Sequence, residues 1–426
     1  MQNFNNNTSI AYLSDIKRAA EMHVSELMFI IAFLLLLLED PIAQFFPYAN
    51  FLDETFALIG FFVYLISSNK IKLNILVPVF LYIMSAFVGW IFNSQQPLIA
   101  VVNDAFLNLK FFFALLFGVS VVNILSPLSI KIIAKIAKIL TLFLTVIIIY
   151  NFFFHVFPGQ EYRFGIQIPK LFFSHSEYLA GFQVLLLAVG LLGGVEKKSI
   201  WENTWILISV LNILSTLRYK AIIASVFIVI LLYIVIFRKK IFAKWNFIVL
   251  AIVAVLIAWS QIVEYFFDTV TARGALTSTS ITIAKDYFPF GIGFASFGSY
   301  MSKVFYSPFY YQYGLSSIYG LMNIDGANSF ISDTFWPMVI AQSGIVGTVC
   351  FVWALGSLYK KINGIYYENI YLYSVSLYLF GYMIIQSTGS AAFVGPIAVP
   401  VGIIIGICIG MAKSKNFFQL INRENE

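Results

Sequence analysis

The chain has 426 residues, of which 60% are hydrophobic and 11% charged, with a mean hydropathy of +0.88 and a formal net charge of +6. A soluble chain of this length has no interior large enough to hide so much apolar surface, so a soluble enzyme is excluded. Aromatic residues, 45 Phe and 24 Tyr among them, suit lipid-facing helices and interfacial belts.

The apolar stretches run roughly twenty residues, the length an α-helix needs to cross about 30 Å of hydrocarbon; barrel strands would be half as long and would alternate. In chain order, spans are predicted over 27–46, 54–68, 73–92, 98–124, 130–156, 177–194, 200–216, 219–237, 245–265, 328–358, 369–387 and 394–412. The expected fold is therefore all-α: one polytopic membrane domain, 1–426, of about twelve transmembrane helices.

Basic residues orient that bundle, because short cytoplasmic loops are enriched in Lys and Arg. With the N-terminus inside, the inner segments hold Lys17, Arg18, Lys70, Lys72, Lys131, Lys135, Lys138, Lys197, Lys198, Arg238, Lys239, Lys240, Lys244, Lys360, Lys361, Lys413, Lys415 and Arg423, which is 18 of the 26 basic residues. Both termini are expected in the cytoplasm. The positive charge thus describes orientation and is no nucleic-acid footprint, which would need a soluble basic face. Residues 1–26 are polar, and no small-residue cleavage site follows the first apolar run, which reads as a retained helix. Cys350 and Cys408 fall inside predicted spans and are expected as unpaired bulk.

Two outer loops stand out by length: 157–176 and, between spans nine and ten, 266–327. The second carries Arg273, an amphipathic run from Ile281 to Phe288, the Gly-rich turn Pro289-Phe290-Gly291-Ile292-Gly293-Phe294, and seven tyrosines from Tyr287 to Tyr319. Tyrosine combines a flat apolar face with a hydroxyl, which serves sugar stacking and headgroup anchoring alike.

Charges that escape the inside bias mark candidate ligand groups, because charge at membrane depth is costly. Arg163, Arg218, Lys220 and Arg273 lie on the outer side, Arg218 and Lys220 in a very short turn between spans seven and eight. Lys110 lies deeper in span four, with Asp104 two turns before it. Guanidinium groups clustered there fit a lipid pyrophosphate, whose oxygens match the bidentate fork of Arg, whereas snorkelling to outer headgroups is the bland alternative. His175, Glu177 and Asp333 are candidate general bases; Glu177 and Asp333 equally suit helix capping. The chain contains no phosphate-binding Gly-Lys-Ser/Thr loop, no paired Cys motif and no His or Asp metal pattern, so no metal or other cofactor is expected.

Four ordered stretches carry a resemblance. They are Ser215-Thr216-Leu217-Arg218; Arg273 at the start of the large loop; Phe288-Pro289-Phe290-Gly291-Ile292-Gly293-Phe294 with Phe297; and Ile331-Ser332-Asp333-Thr334-Phe335 leading to Gln342-Ser343-Gly344-Ile345-Val346-Gly347. In order and spacing this set resembles the bacterial O-antigen polymerase and ligase superfamily, and Arg163 to Leu179 resembles it more loosely. The resemblance implies a glycosyltransferase acting at the outer face of the inner membrane on glycans carried by undecaprenyl pyrophosphate, without metal or nucleotide. It implies as partners the lipid-linked oligosaccharide, membrane lipids and a chain-length regulator protein. Arg163, Arg218, Lys220 and Arg273 would hold the pyrophosphate, and Glu177, His175 or Asp333 would take the proton of the attacking hydroxyl. Ligases of the family carry His where this chain has Ser332, which favours a polymerase over a ligase. A lipid-linked oligosaccharide flippase is the rival of a different class; it should show repeated halves and charges along a midplane path, and no clear internal repeat is seen.

Overall fold

The computed structural model describes residues 23–67, 74–157, 161–163, 165–194, 199–263, 268, 270–324 and 329–413. The basic residues Lys17, Arg18, Lys70, Lys72, Lys197, Lys198, Lys415 and Arg423 lie outside the described residues. Among the described residues the chain is all-α apart from a short hairpin. Its helices are α1 (Val24–Leu37), α2 (Glu39–Ala43), α3 (Leu52–Ile66), α4 (Leu76–Asn93), α5 (Leu98–Val121), α6 (Pro127–Phe154), α7 (Ser176–Leu192), α8 (Ile200–Ser215), α9 (Tyr219–Leu232), α10 (Lys244–Ile262), α11 (Ala272–Asp286), α12 (Tyr300–Val304), α13 (Pro308–Gln312), α14 (Trp336–Ile365), α15 (Ile370–Ser387) and α16 (Ala398–Lys413). Strands β1 (Glu161–Arg163) and β2 (Ile166–Ile168) pair antiparallel.

A helix occupies each predicted span. Among the described residues, 7 helices are long and apolar enough to cross a membrane, and α1, α7, α16 and the Lys244–Trp259 part of α10 are apolar but shorter. Local signals set the ends. Ser126 caps α6 by accepting from the Ser129 amide at 3.2 Å, with Pro127 at the first helical position, where its missing N–H costs nothing. Asn369 caps α15 through the amides of Tyr371 and Leu372.

Two expectations are corrected, and the long loop folds as its composition allows. The first predicted span is not continuous: α1 ends at Leu37, and Glu39, Asp40 and Pro41 form a separate turn of helix, because acidic groups and a proline follow directly on the apolar run. The tenth begins at Trp336, not 328, and runs to Ile365. The long loop is largely folded: residues 272–286 form α11, which begins nine residues before the amphipathic run and is capped by Thr271 at the Gly274 amide. Most loop tyrosines hold the loop together. Tyr310 is buried and accepts from the Gly298 amide, Tyr306 donates to the Leu321 carbonyl, and Tyr313 donates to Asp286.

The centre of the bundle is the pair α5 and α16. Gly402, Gly406 and Gly410 recur every fourth residue on α16, and a Cβ at Gly406 would stand 2.2 Å from the Leu115 carbonyl oxygen. Helices without a hydrophobic drive toward each other in lipid associate through such small-residue contacts.

Helix α14 is broken. Gly344 adopts φ 62°, ψ −164° within it, a conformation an L side chain rarely takes, and the Gly-rich turn fills the gap. Ile292 and Gly293 donate to the carbonyls of Ala341 and Gln342 at 3.0 and 2.8 Å, and the Val346 amide donates to the Pro289 carbonyl at 3.2 Å. The turn is therefore structural, and its Gly-x-Gly does not form a phosphate cradle. Gly291 has φ +73°, and a Cβ there would lie 2.3 Å from the Ala341 carbonyl oxygen.

Gly291→Val is expected to destabilise the purified protein by at least about 2 kcal/mol, through overpacking and backbone strain together. Gly356→Ala, where an added Cβ meets nothing within 4 Å, should leave the melting temperature unchanged or slightly raised. Thermal unfolding of both variants in the same detergent checks the contrast.

Candidate functional site

The connections between α6 and α7, α8 and α9, α10 and α14, and α15 and α16 meet at one end of the bundle, here termed the loop end. They enclose a cavity of about 780 Å³, lined among others by Asp104, His175, Glu177, Tyr178, Arg218, Arg273, Tyr300, Ser332, Asp333 and Gln386. Thus His175, Glu177, Arg218, Arg273 and Asp333, spread over more than 150 residues of sequence, share one chamber.

Each cation there faces a carboxylate. Arg218, the residue before α9, pairs with Glu161 of β1 and donates from Nε to the Ser176 hydroxyl at 2.7 Å. Lys220, the second residue of the same helix, donates to Glu177 at 2.5 Å and is close enough to Arg218 and Arg273 to be repelled by both. Arg273, near the start of α11, donates to Asp333 at 3.0 Å. His175 Nδ1 lies 3.8 Å from Glu161. Each of these three cations is thus matched by an acid, and Asp104 adds a fourth carboxyl to the lining, so a dianion entering the chamber must displace a carboxylate from a cation or be accompanied by a proton.

Position explains these pairs. Leu217, at φ 46°, turns the chain sharply between α8 and α9, so Arg218 points back across the chamber. Asp333 does not cap α14, whose flanking residue is Phe335; the Arg273 pair is its role. Glu177 sits in the first turn of α7, where a carboxylate is favoured, and it also receives Lys220, while the Ser390 hydroxyl nearby donates to the Gln386 carbonyl at 2.9 Å.

Sequence reasoning missed Glu161, the acid that organises the Arg218 corner. The Ser176 amide and hydroxyl both donate to it at 3.2 Å. Partial burial pushes its carboxyl upward, and the Ser176 bonds together with the Arg218 guanidinium outweigh that, holding it below its ordinary value. Arg163, two residues on along β1, does not line the chamber. The only available signal was alternation: two charged residues separated by one on a short strand project to the same side. Also missed were Gln386 and Ser390 beside α15, because neutral polar residues near a helix end give no charge signal.

Asp104 and Lys110, read as neighbours on one helix, serve different places. Asp104 lines the chamber floor and accepts from the Ala295 amide at 2.6 Å and from Gln342 at 2.8 Å, tying α5 to the loop and to the break in α14. Lys110 is buried and binds Asp53 at 2.5 Å and Glu54 at 3.2 Å, with Glu39 close by and both of its oxygens without a hydrogen-bond partner. Among the described residues no group of His, Cys, Asp or Glu is arranged to hold a metal ion, and both cysteines are free and buried.

No family model matches the chain, and neither a curated protein nor a solved structure matches it.

Glu161→Gln should lower stability by about 1 kcal/mol at neutral pH. Because the folded carboxyl is held below its unfolded value, its contribution is complete above about pH 4.5 and fades as the pH falls through the lower, folded value. Melting curves of parent and variant should therefore differ at pH 7 and converge under acid conditions; a constant offset at every pH would count against the ion pair.

Proposed function

We propose that the chain is a polymerase of surface polysaccharide, most specifically of O-antigen type: a metal-independent transferase of glycan carried on undecaprenyl pyrophosphate. The observation that carries this reading is the clustering of Arg218, Lys220 and Arg273 around one chamber at the loop end of a membrane bundle. A lipid-linked pyrophosphate needs several fixed cations at the membrane boundary, and two planar guanidinium groups suit its oxygens. Family resemblance in the sequence supports the same reading. The accompanying topology has about twelve spans, with α1 and α2 together forming the first. Both termini lie in the cytoplasm of a bacterium and the chamber faces the periplasm across the inner membrane, as the basic loops at the opposite end favour.

In the reaction, a sugar hydroxyl of the incoming repeat unit attacks the anomeric carbon of the growing chain, and the carrier pyrophosphate leaves. Arg218 and Arg273, with Lys220 behind them, stabilise charge developing on that leaving group. Arg163 is left to guide the ligand from the hairpin outside the chamber. Glu177, Asp333 and His175 remain the candidate bases, and the arrival of pyrophosphate frees whichever carboxylate it displaces from its cation. That exchange gives the acid its basicity only once substrate is bound.

A transporter of lipid-linked oligosaccharide is the second reading, favoured by one observation: the buried charges of Asp53, Glu39 and Lys110, with half-buried Glu54, within the bundle. Gene deletion separates the readings. Loss of a polymerase leaves a single repeat unit on the surface lipid; loss of a ligase leaves none while polymer stays on the carrier; loss of a transporter leaves neither.

Arg218→Ala and Arg273→Ala should abolish long-chain glycan at near-normal protein level, with Lys at either position restoring only part, because Lys lacks the bidentate fork. Glu177→Gln, assayed with purified protein and synthetic lipid-linked repeats, should slow extension by about a hundredfold if Glu177 is the base. Unchanged rates in Glu177→Gln, His175→Gln and Asp333→Asn would leave positioning and pyrophosphate stabilisation as the whole of catalysis.

A further inference from the structure

At the end of the bundle opposite the chamber, a second cavity of about 350 Å³ opens between the start of α4, the middle of α5 and the C-terminal half of α14. Asn74, Ser357, Lys360 and Lys361 supply its polar wall, and Trp353 and Leu115 its apolar one. Lys413, the last residue of α16, brings its ammonium against that of Lys361. Among the described residues none of these three lysines makes a salt bridge with a carboxylate. Two ammonium groups from different helices held together without an acid repel each other, and an anion between them reverses that cost.

The same cavity borders the lipid. On α14, Ile345, Val349 and Val352 are exposed at intervals of four and three residues, one stripe that leads along the helix to Trp353 at the cavity mouth. Exposed Phe80 and Val77 on α4 flank it. An occupant would meet cationic and amide donors at the end of the bundle and an apolar track running away from them. Those are the two halves of a phospholipid.

We propose that this cavity binds the phosphate headgroup of an anionic membrane lipid, with Lys360, Lys361 and Lys413 on the phosphate, Asn74 and Ser357 on the glycerol or headgroup oxygens, and the acyl chains along Ile345, Val349 and Val352. Basic pockets between helices at the positively charged side of a bundle recognise such headgroups. Lysines that merely snorkel would each meet lipid separately, with no preferred stoichiometry. Here a concave wall and a facing pair of ammonium groups define one lipid position. The inference is independent of the transferase reading, since it uses no residue of the chamber.

The test is native mass spectrometry of the full-length purified protein titrated with phosphatidylglycerol or phosphatidylcholine, with melting curves recorded in parallel. A single phosphatidylglycerol adduct, retained in preference to phosphatidylcholine and weakened about thirtyfold in the Lys360→Gln, Lys361→Gln double variant, is the expected result. The corresponding double Arg variant should keep the adduct, which separates charge from folding. Equal retention of the two lipids, or an unchanged adduct in the Gln variant, overturns the proposal. So does an equal rise in melting temperature with inorganic phosphate alone, which would make the site one for a free anion. If the Gln variant fails to fold, the preference between the two lipids in the parent still decides.

Discussion

A helix interrupted inside a membrane leaves amides and carbonyls that lipid cannot satisfy, and this constraint organises the loop end of the molecule. The break at Gly344 is tolerable because residues 289–293 pair with it on both sides, through the Ala341 and Gln342 carbonyls and the Val346 amide. The requirement is mutual, and α4 supplements it on both sides: Ser85 donates to the Ser343 carbonyl at 2.8 Å and Asn93 to the Gly291 carbonyl at 2.9 Å. Asp104 then fastens the assembly to α5, reaching Ala295 just after the turn and Gln342 just before the break. Arg273 and Asp333 lie on the two chain segments that this junction draws together, so their pairing depends on it.

In the chamber built above that junction each cation is matched by a carboxylate, and the cations stay few and fixed. A guanidinium held by a carboxylate and a serine is already oriented, and a ligand that replaces the carboxylate finds donors that need not reorganise. Such an arrangement also protects the empty chamber, since unpaired cations at this depth would be expensive.

Much of this was legible in the sequence, for identifiable reasons. Hydropathy located the helices because membrane spans carry their signal in composition rather than in tertiary context. Arg218, Lys220, Arg273, Glu177, His175 and Asp333 were visible because charges are scarce in such a chain and each stood where the inside bias did not explain it. Pairing was not legible. Asp104 and Lys110 lie two turns apart on one helix, yet Lys110 reaches Asp53 and Glu54 on α3, and only the packing of α3 on α5 decides that. Glu161 was passed over because a loop carboxylate in isolation is ordinary; its meaning comes from Arg218, 57 residues away. The break in α14 was hidden too, since a glycine in an apolar run reads as packing until the turn that fills it is known.

The glycine contact between α5 and α16 has a mechanical consequence. Where Gly118 and Gly406 bring backbone against backbone, with no side chain between them to change rotamer, the two helices must move as a single strut. That strut carries Asp104 at the chamber floor and, through the 391–397 segment leading into α16, part of one wall. Any movement that widens the chamber therefore falls to the opposite wall, where α7, α9 and strand β1 are joined across the gap by exchangeable ionic contacts through Glu161, Arg218, Glu177 and Lys220.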